Sequence, residues 1–273
     1  MTRRMILRRI LVWLALLAAL SGYIWWGNTS IKVTEIPVSA PGLPESFSGF
    51  RIAQVSDLHN TSFGENNATF LNNLTRCQPD IIVLTGDMID SYHTDVEVSI
   101  QFVRQAAEIA PTYYVTGNHE ARVRTEYEIL RAAMLECGVQ VLENELVTLE
   151  RGDDTITLVG LHDPNFSSVE DHLTALAPQA EGFTILLAHH PELVGYYAGA
   201  GMDLVFSGHA HGGQFRFPLL GGLIAPGQGL FPEYDAGLYQ VQDTQMIVSR
   251  GLGNSAFPFR LNNRPEIVLA VLN

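Results

Sequence analysis

A chain of 273 residues, 47% of them hydrophobic, can bury one large core but is short for two domains. Its formal charge of −13 argues against a polynucleotide partner, because that surface repels a phosphate backbone. Only Cys77 and Cys137 are present, which excludes a disulfide framework; each precedes an apolar run and suits a small buried role, and their spacing leaves pairing open.

Arg3, Arg4, Arg8 and Arg9 precede an uncharged run from Ile10 to Trp26. A cationic start followed by an apolar stretch predicts a signal or a signal anchor over residues 1–27. The run is just long enough to cross about 30 Å of hydrocarbon. It ends in Tyr23, Ile24, Trp25 and Trp26, aromatics that suit the membrane interface, whereas Ala18–Gly22 makes a poor cleavage site. A retained anchor is the better reading. The positive-inside rule then leaves the arginines in the cytoplasm and the rest outside, a single-pass protein of a bacterial cytoplasmic membrane. The stretch Thr2–Arg8 also resembles a twin-arginine export signal, with Ile6 and Arg8 replacing the usual Phe and Lys; a plain basic segment reads equally well.

Residues 28–45 are polar and contain Pro37, Pro41 and Pro44, which predicts a stalk leading into an edge strand. From residue 46 to 273 one domain is expected. Apolar runs at Ile52–Val55, Ile81–Leu84, Tyr113–Val115, Ile156–Val159, Phe183–Ala188 and Leu204–Phe206 predict strands. Val96, Ile100, Val103 and Ala107 fall at helical spacing, as do Tyr127, Leu130 and Met134. The tail changes character: Leu238–Val241, Met246–Ser249 and Ile267–Leu272 read as strands without helices. Strands alternating with helices, then strands alone, predict an α/β fold of mixed sheets covered by helices.

Polar motifs follow the strands. Asp57-Leu58-His59 comes after the first run, Gly86-Asp87-Met88-Ile89-Asp90 after the second and Gly117-Asn118-His119-Glu120 after the third. His189-His190 and Gly208-His209-Ala210-His211 follow the last two. In open α/β sheets, ligands bind beyond the carboxyl ends of strands, so all five motifs are directed to one edge. Asp57 and His59 share one side of an extended segment and can clamp one ion. Asp87 can bridge two cations, because a carboxylate offers about four lone-pair sites. Asn118 adds a neutral carbonyl, and His209 and His211 again have a spacing of two. Nitrogen and oxygen donors without thiolate suit divalent Mn, Fe, Ni, Co or Zn. The residues alone leave open whether His189 or His190 is the ligand.

These motifs, intact and in order over residues 57–211, resemble the calcineurin-like metallophosphoesterases, whose pattern is D-x-H, G-D-x-x-D, G-N-H-[ED], H and G-H-x-H. Ser56–His59, Leu187–Pro191, Ser207–Gln214, Ser249–Gly253 and Arg264–Ile267 extend the likeness to the membrane-anchored or exported bacterial branch typified by YkuE and YaeI. The resemblance implies a four-layer α-β-β-α sandwich and a phosphoester hydrolase with two divalent metal ions. It implies that Asp57, His59, Asp87 and His211 hold one ion, and Asp87, Asn118, His189 and His209 the other, with a bridging hydroxide as nucleophile. His119 then protonates the leaving group or stabilises the transition state, with Asp90 supporting the site and Glu120 orienting His119; both acids also suit a helix start.

The substrate is a phosphoester, lipid-linked if the apolar stretch Gly212–Gly237 is a rim for acyl chains instead of a packed loop. Arg216 and Arg260 read as phosphate contacts or as surface charge, and no substrate-binding residue is singled out. Competing readings are a lipid-headgroup phosphatase, a pyrophosphatase, and a catalytically silent metal-binding protein, which has no need of His119. A nuclease is disfavoured by the acidity.

Overall fold

The computed structural model describes residues 3–254 and 257–273. It begins with the expected apolar helix, α1 (Arg3–Thr29), none of whose side chains is buried. At 1.5 Å per residue α1 is about 40 Å long, enough to cross a bilayer.

The next elements are β1 (Lys32–Val38), β2 (Arg51–Val55), α2 (Ala68–Arg76), β3 (Ile81–Thr85), α3 (Val96–Ala107), β4 (Thr112–Val115), α4 (Asn118–Arg122), α5 (Arg124–Glu136) and β5 (Gln140–Val141). Then come β6 (Glu145–Arg151), β7 (Asp154–Gly160), α6 (Val169–Leu176), β8 (Phe183–Leu187), α7 (Val194–Gly199) and β9 (Leu204–Ser207). Two short hairpins follow: β10 (Arg216–Phe217) with β11 (Gly221–Gly222), and β12 (Ile224–Ala225) with β13 (Gly229–Leu230). β14 (Gly237–Val241), β15 (Thr244–Val248) and β16 (Glu266–Leu272) complete the chain.

Two six-stranded sheets form, ordered β1-β16-β2-β3-β4-β5 and β14-β15-β9-β8-β7-β6. β2 to β5 run parallel in the first sheet, and β15, β9, β8 and β7 run parallel in the second. Strands buried on both faces are nearly all apolar, as β3 and β8 are apart from Thr85 and Thr184. Three apolar layers follow from this. Ile52, Val83, Val115, Ile185, Phe206 and Ile247 fill the space between the sheets. α2, α3 and α5 cover the outer face of the first sheet through Phe70, Phe102 and Leu130. α6 and α7 cover the second through Leu173 and Tyr197. Helices, sheet, sheet and helices make the four-layer α-β-β-α sandwich.

The segment 28–45, read as a stalk, differs from expectation. Its residues Lys32–Val38 form β1, which pairs in parallel with β16 as the outer strand of the first sheet. The pattern hid this because β1 alternates exposed and buried side chains and carries Pro37, which an edge strand tolerates. Cys77 and Cys137 are both free thiols.

The inter-sheet layer carries the fold, so Phe206→Ala should cost about 3–5 kcal/mol. Leu219→Ala, at a fully exposed side chain, should stay within about 0.5 kcal/mol. Urea unfolding of the full chain in detergent measures both; equal effects would contradict this account of the core.

Candidate metal centre

The parallel strands of both sheets run out at one edge, and the loops beyond them are bound to one another. Asp57 N–H donates to Gly86 O, His59 N–H to Asp87 O, Gly208 N–H to His189 O and Gly253 N–H to Asp57 O. Beneath them Gln54 Nε2 joins the sheets, donating to Thr85 Oγ1 at 2.9 Å and to Ser207 O at 2.8 Å.

All seven candidate ligands come together there, each 6% exposed or less. Asp57, His59 and His211 form one cluster, with His59 Nε2 3.2 Å from His211 Nε2 and His211 Nε2 3.5 Å from Asp57 Oδ1. Asp87, His189 and His209 form another, with His189 Nε2 3.2 Å from both Asp87 Oδ2 and His209 Nδ1. Asp87 joins the two, since the same Oδ2 lies 3.7 Å from His59 Nε2. Asn118 Oδ1 is buried with no hydrogen-bond partner among the described residues. A buried carbonyl is costly without a partner. An orphaned oxygen beside convergent carboxylates and imidazoles fits a metal ligand, so the donor set passes as a site for divalent ions.

The backbone is bent to bring these groups in. Asp57, His59, Asp87, His209 and His211 all have positive φ, between 46° and 65°. Such conformations cost a non-glycine residue about 1 kcal/mol or more each and persist where the surroundings impose them. Gly117 and Gly208 make room. A Cβ at Gly117 would lie 2.3 Å from Asp87 Oδ1, and one at Gly208 would lie 1.9 Å from Ser56 Oγ and 2.6 Å from Asp57 Oδ2.

The two carboxylates also organise backbone. His209 N–H donates to Asp57 Oδ1 at 3.0 Å, and His119 N–H to Asp87 Oδ1 at 2.8 Å. Glu120 reaches the Asp87 turn, not the His119 ring. Its carboxylate accepts from the N–H groups of Asp87, Ile89 and Gly117. Burial and the charge of Asp87 push Glu120 up to about 7, against the two backbone donors Ile89 and Gly117.

Burial also sets the histidines. It holds His59 and His209 well below the ordinary imidazole range and takes His211 down to about 4, so these rings are neutral and ready to ligate. At His189 burial acts the same way, but the charge of Asp87, a hydrogen bond to it and the charge of Asp57 prevail and raise the ring well above its usual value. His189 Nδ1 sits 2.7 Å from Thr85 O, which turns Nε2 toward Asp87.

His119 lies at the mouth. Ser91 N–H donates to its Nδ1 at 2.9 Å and positions this ring, and Asp90 Oδ1 lies 3.4 Å from the same nitrogen, where its charge favours the protonated ring. Burial lowers its pKa. A cleft of about 320 Å³ opens in front, lined by Asp87, Asn118, His119, Arg122, His190 and His209 among others. Arg122 Nη1 stands 3.4 Å from His119 Nε2, and the sequence reading passed over this cation. Its signal was its place three residues after His119 in α4, one helical turn away. His190 is tied to Asp163 and Glu192 at 2.7 and 2.8 Å.

Arg260 and Arg216 are neither substrate contacts nor surface charges. Arg260 is 1% exposed, donates to Arg250 O at 2.7 Å and to Gly253 O, and comes within 3.4 Å of His211 Nδ1. Arg216 pairs with Asp235 at 2.9 Å.

The sequence profile of calcineurin-like phosphoesterases matches residues 50–213. The chain is 30% identical to the metallophosphoesterase YkuE of Bacillus subtilis, over 89% of this chain and 85% of that one. It is 31% identical to the phosphodiesterase YaeI of Escherichia coli, over 82% of each. A Bos taurus transmembrane protein with a metallophosphoesterase domain is 32% identical over 88% of this chain and 56% of that one.

Two outcomes follow. The charge of Asp87 and its hydrogen bond favour the protonated ring of His189, which must lose that proton to ligate, so metal uptake should release protons. Calorimetry in buffers of different ionisation enthalpy reads this, and a buffer-independent heat would contradict it. Gly208→Ala should weaken metal binding at least about tenfold while the chain stays folded; unchanged affinity in a metal titration would refute the crowding argument.

Proposed function

Because this chain belongs to the calcineurin-like phosphoesterases, and is by that membership a metal-dependent phosphoester hydrolase, we propose that it works with two divalent ions sharing Asp87. Asp57, His59, Asp87 and His211 hold one ion, and Asp87, Asn118, His189 and His209 the other. The observation that carries this reading is the pair of clusters meeting at Asp87 beside the unpartnered Asn118 oxygen. Bound divalent ions supply Lewis acidity toward a phosphoryl oxygen and a hydroxide near neutral pH.

The remaining work falls to the chain's own groups. Ser91 N–H occupies Nδ1 of His119, so the neutral ring keeps its proton on Nε2. In the cleft that His119 lines, that N–H donates a hydrogen bond to the oxygen of the departing group and stabilises the charge that develops there as the ester bond breaks. Arg122 supplies fixed positive charge in the same cleft for an anionic substrate. Ser91 N–H holds the His119 ring, and Glu120 holds the turn that presents Asp87.

The same reading places the domain outside the cytoplasm, since Arg3, Arg4, Arg8 and Arg9 at the start of α1 favour an inside amino terminus. The twin-arginine route agrees with this placement, because it exports proteins already folded around their metals.

The test uses the full chain in detergent, stripped of metal and reconstituted with Mn, Ni, Zn or Mg, on p-nitrophenyl phosphate and bis(p-nitrophenyl) phosphate. Activity should return with metal, and the ratio of the two rates separates phosphatase from phosphodiesterase. His119→Ala should lower kcat by about 10²–10⁴ with metal content retained. Wild-type turnover in that variant would remove His119 from the mechanism, and no turnover with any metal would favour a silent binding protein.

A further inference from the structure

Next to the phosphoryl cleft lies a second, apolar groove of about 300 Å³. His211, Gln214, Ile224, Ala225, Pro226 and Phe257 are among its lining residues. It shares His211, Pro226 and Gly227 with the cleft, so the two are neighbouring compartments on either side of one metal-centre residue. Nothing in phosphoryl transfer calls for an apolar compartment there. Pockets of this kind hold the apolar part of a ligand while a few polar groups fix its reacting end.

The second short hairpin forms one wall of the groove through Ile224, Ala225 and Gly229, and bare apolar side chains stand on or beside both hairpins. Leu219 is 105% exposed, Leu220 67%, Leu230 66% and Phe231 59%. Phe257 and Phe259 extend this surface, their rings meeting Phe215 at 5.2 and 5.4 Å. A contiguous bare apolar surface marks an interaction site.

The position of α1 identifies the partner. Asn28, near the end of that helix, donates from Nδ2 to Arg260 O at 3.0 Å and accepts from Arg260 N–H at 2.7 Å. Tyr23 Oη–H donates to Asn262 Oδ1, and Asn262 Nδ2 donates to Arg216 O in the first hairpin. Arg264 lies 4.9 Å from the ring centroid of Trp26. The interfacial end of the apolar helix is therefore fastened to the strip that backs the first hairpin. A bilayer crossed by α1 would meet Leu219 and Leu220, in the turn of that hairpin, next to the helix exit.

We propose, resting on the hydrolase reading above, that the substrate is a lipid-linked phosphoester taken from the bilayer that α1 crosses, its apolar chain lying in the groove beside His211 while its phosphoryl group enters the cleft.

The probe is a pair of diesters with one leaving group, methyl p-nitrophenyl phosphate in solution and hexadecyl p-nitrophenyl phosphate in phosphatidylcholine vesicles, offered to the metal-loaded full chain in the same vesicles. The expected result is a kcat/KM at least about tenfold higher for the hexadecyl ester, a floor set by burying two methylenes. The double variant Leu219→Asp/Leu220→Asp should lose most of that preference with the methyl rate unchanged, although α1 still tethers it. Phe257→Asp, in the groove wall, should lower the hexadecyl-to-methyl ratio. Hydrolysis of the methyl ester without preference for the hexadecyl one overturns the proposal and leaves the hydrolase reading standing. A preference that survives both variants also overturns it, since tethering by α1 then explains the preference and the hairpins serve another partner. Inactivity on both esters sinks the hydrolase reading itself.

Discussion

The site depends on burying two carboxylates with almost no fixed positive charge beside them. Asp57 and Asp87 are 0% and 1% exposed, and the ion pairs the structure gives them are all with imidazoles. A buried carboxylate is tolerated only when its charge is met. Backbone N–H groups from His119 and His209 meet part of it, and the two carboxylates favour the protonated ring of His189, which meets more. A pair of divalent cations would meet the rest. In this view the inward turn of the five strand-end loops, the positive φ angles and the crowding at Gly117 and Gly208 serve to bring neutral ligands around two anions.

Much of this was legible in the sequence because ligand types and strand ends carry strong local signals. Polar motifs after apolar runs placed Asp57, Asp87, Asn118, His189 and His209 at one edge, and the structure brings them there. Residues that act through neighbours were harder to read. Arg260 looks like any surface arginine until the fold closes carbonyls from Arg250 and Gly253 around it. Glu120 follows His119 directly, yet in a helical turn successive side chains diverge, and it reaches the backbone N–H groups of Asp87 and Ile89 in another loop and of Gly117 at the start of its own helix. An edge strand is expected after the stalk, but β1 lies within that segment, where a proline and alternating polar residues look like linker because an edge strand beside β16 needs only one buried face.

Membership of the calcineurin-like phosphoesterases accounts for the metal centre but not for the surface around it. The same 260–264 strip supports His211 from behind through Arg260, fastens the end of α1 through Asn28 and Trp26, and backs the exposed hairpins. One short segment thus touches the end of the apolar helix, the first hairpin and a candidate ligand.

The most direct test of the central claim is the metal content of the full chain, measured by mass spectrometry after reconstitution with manganese and exhaustive dialysis, together with its electron paramagnetic resonance spectrum. The account predicts two ions per chain with a spin-coupled signal, because Asp87 stands between them. One ion per chain, or two with uncoupled signals, would contradict a shared Asp87 and require a different reading of the site.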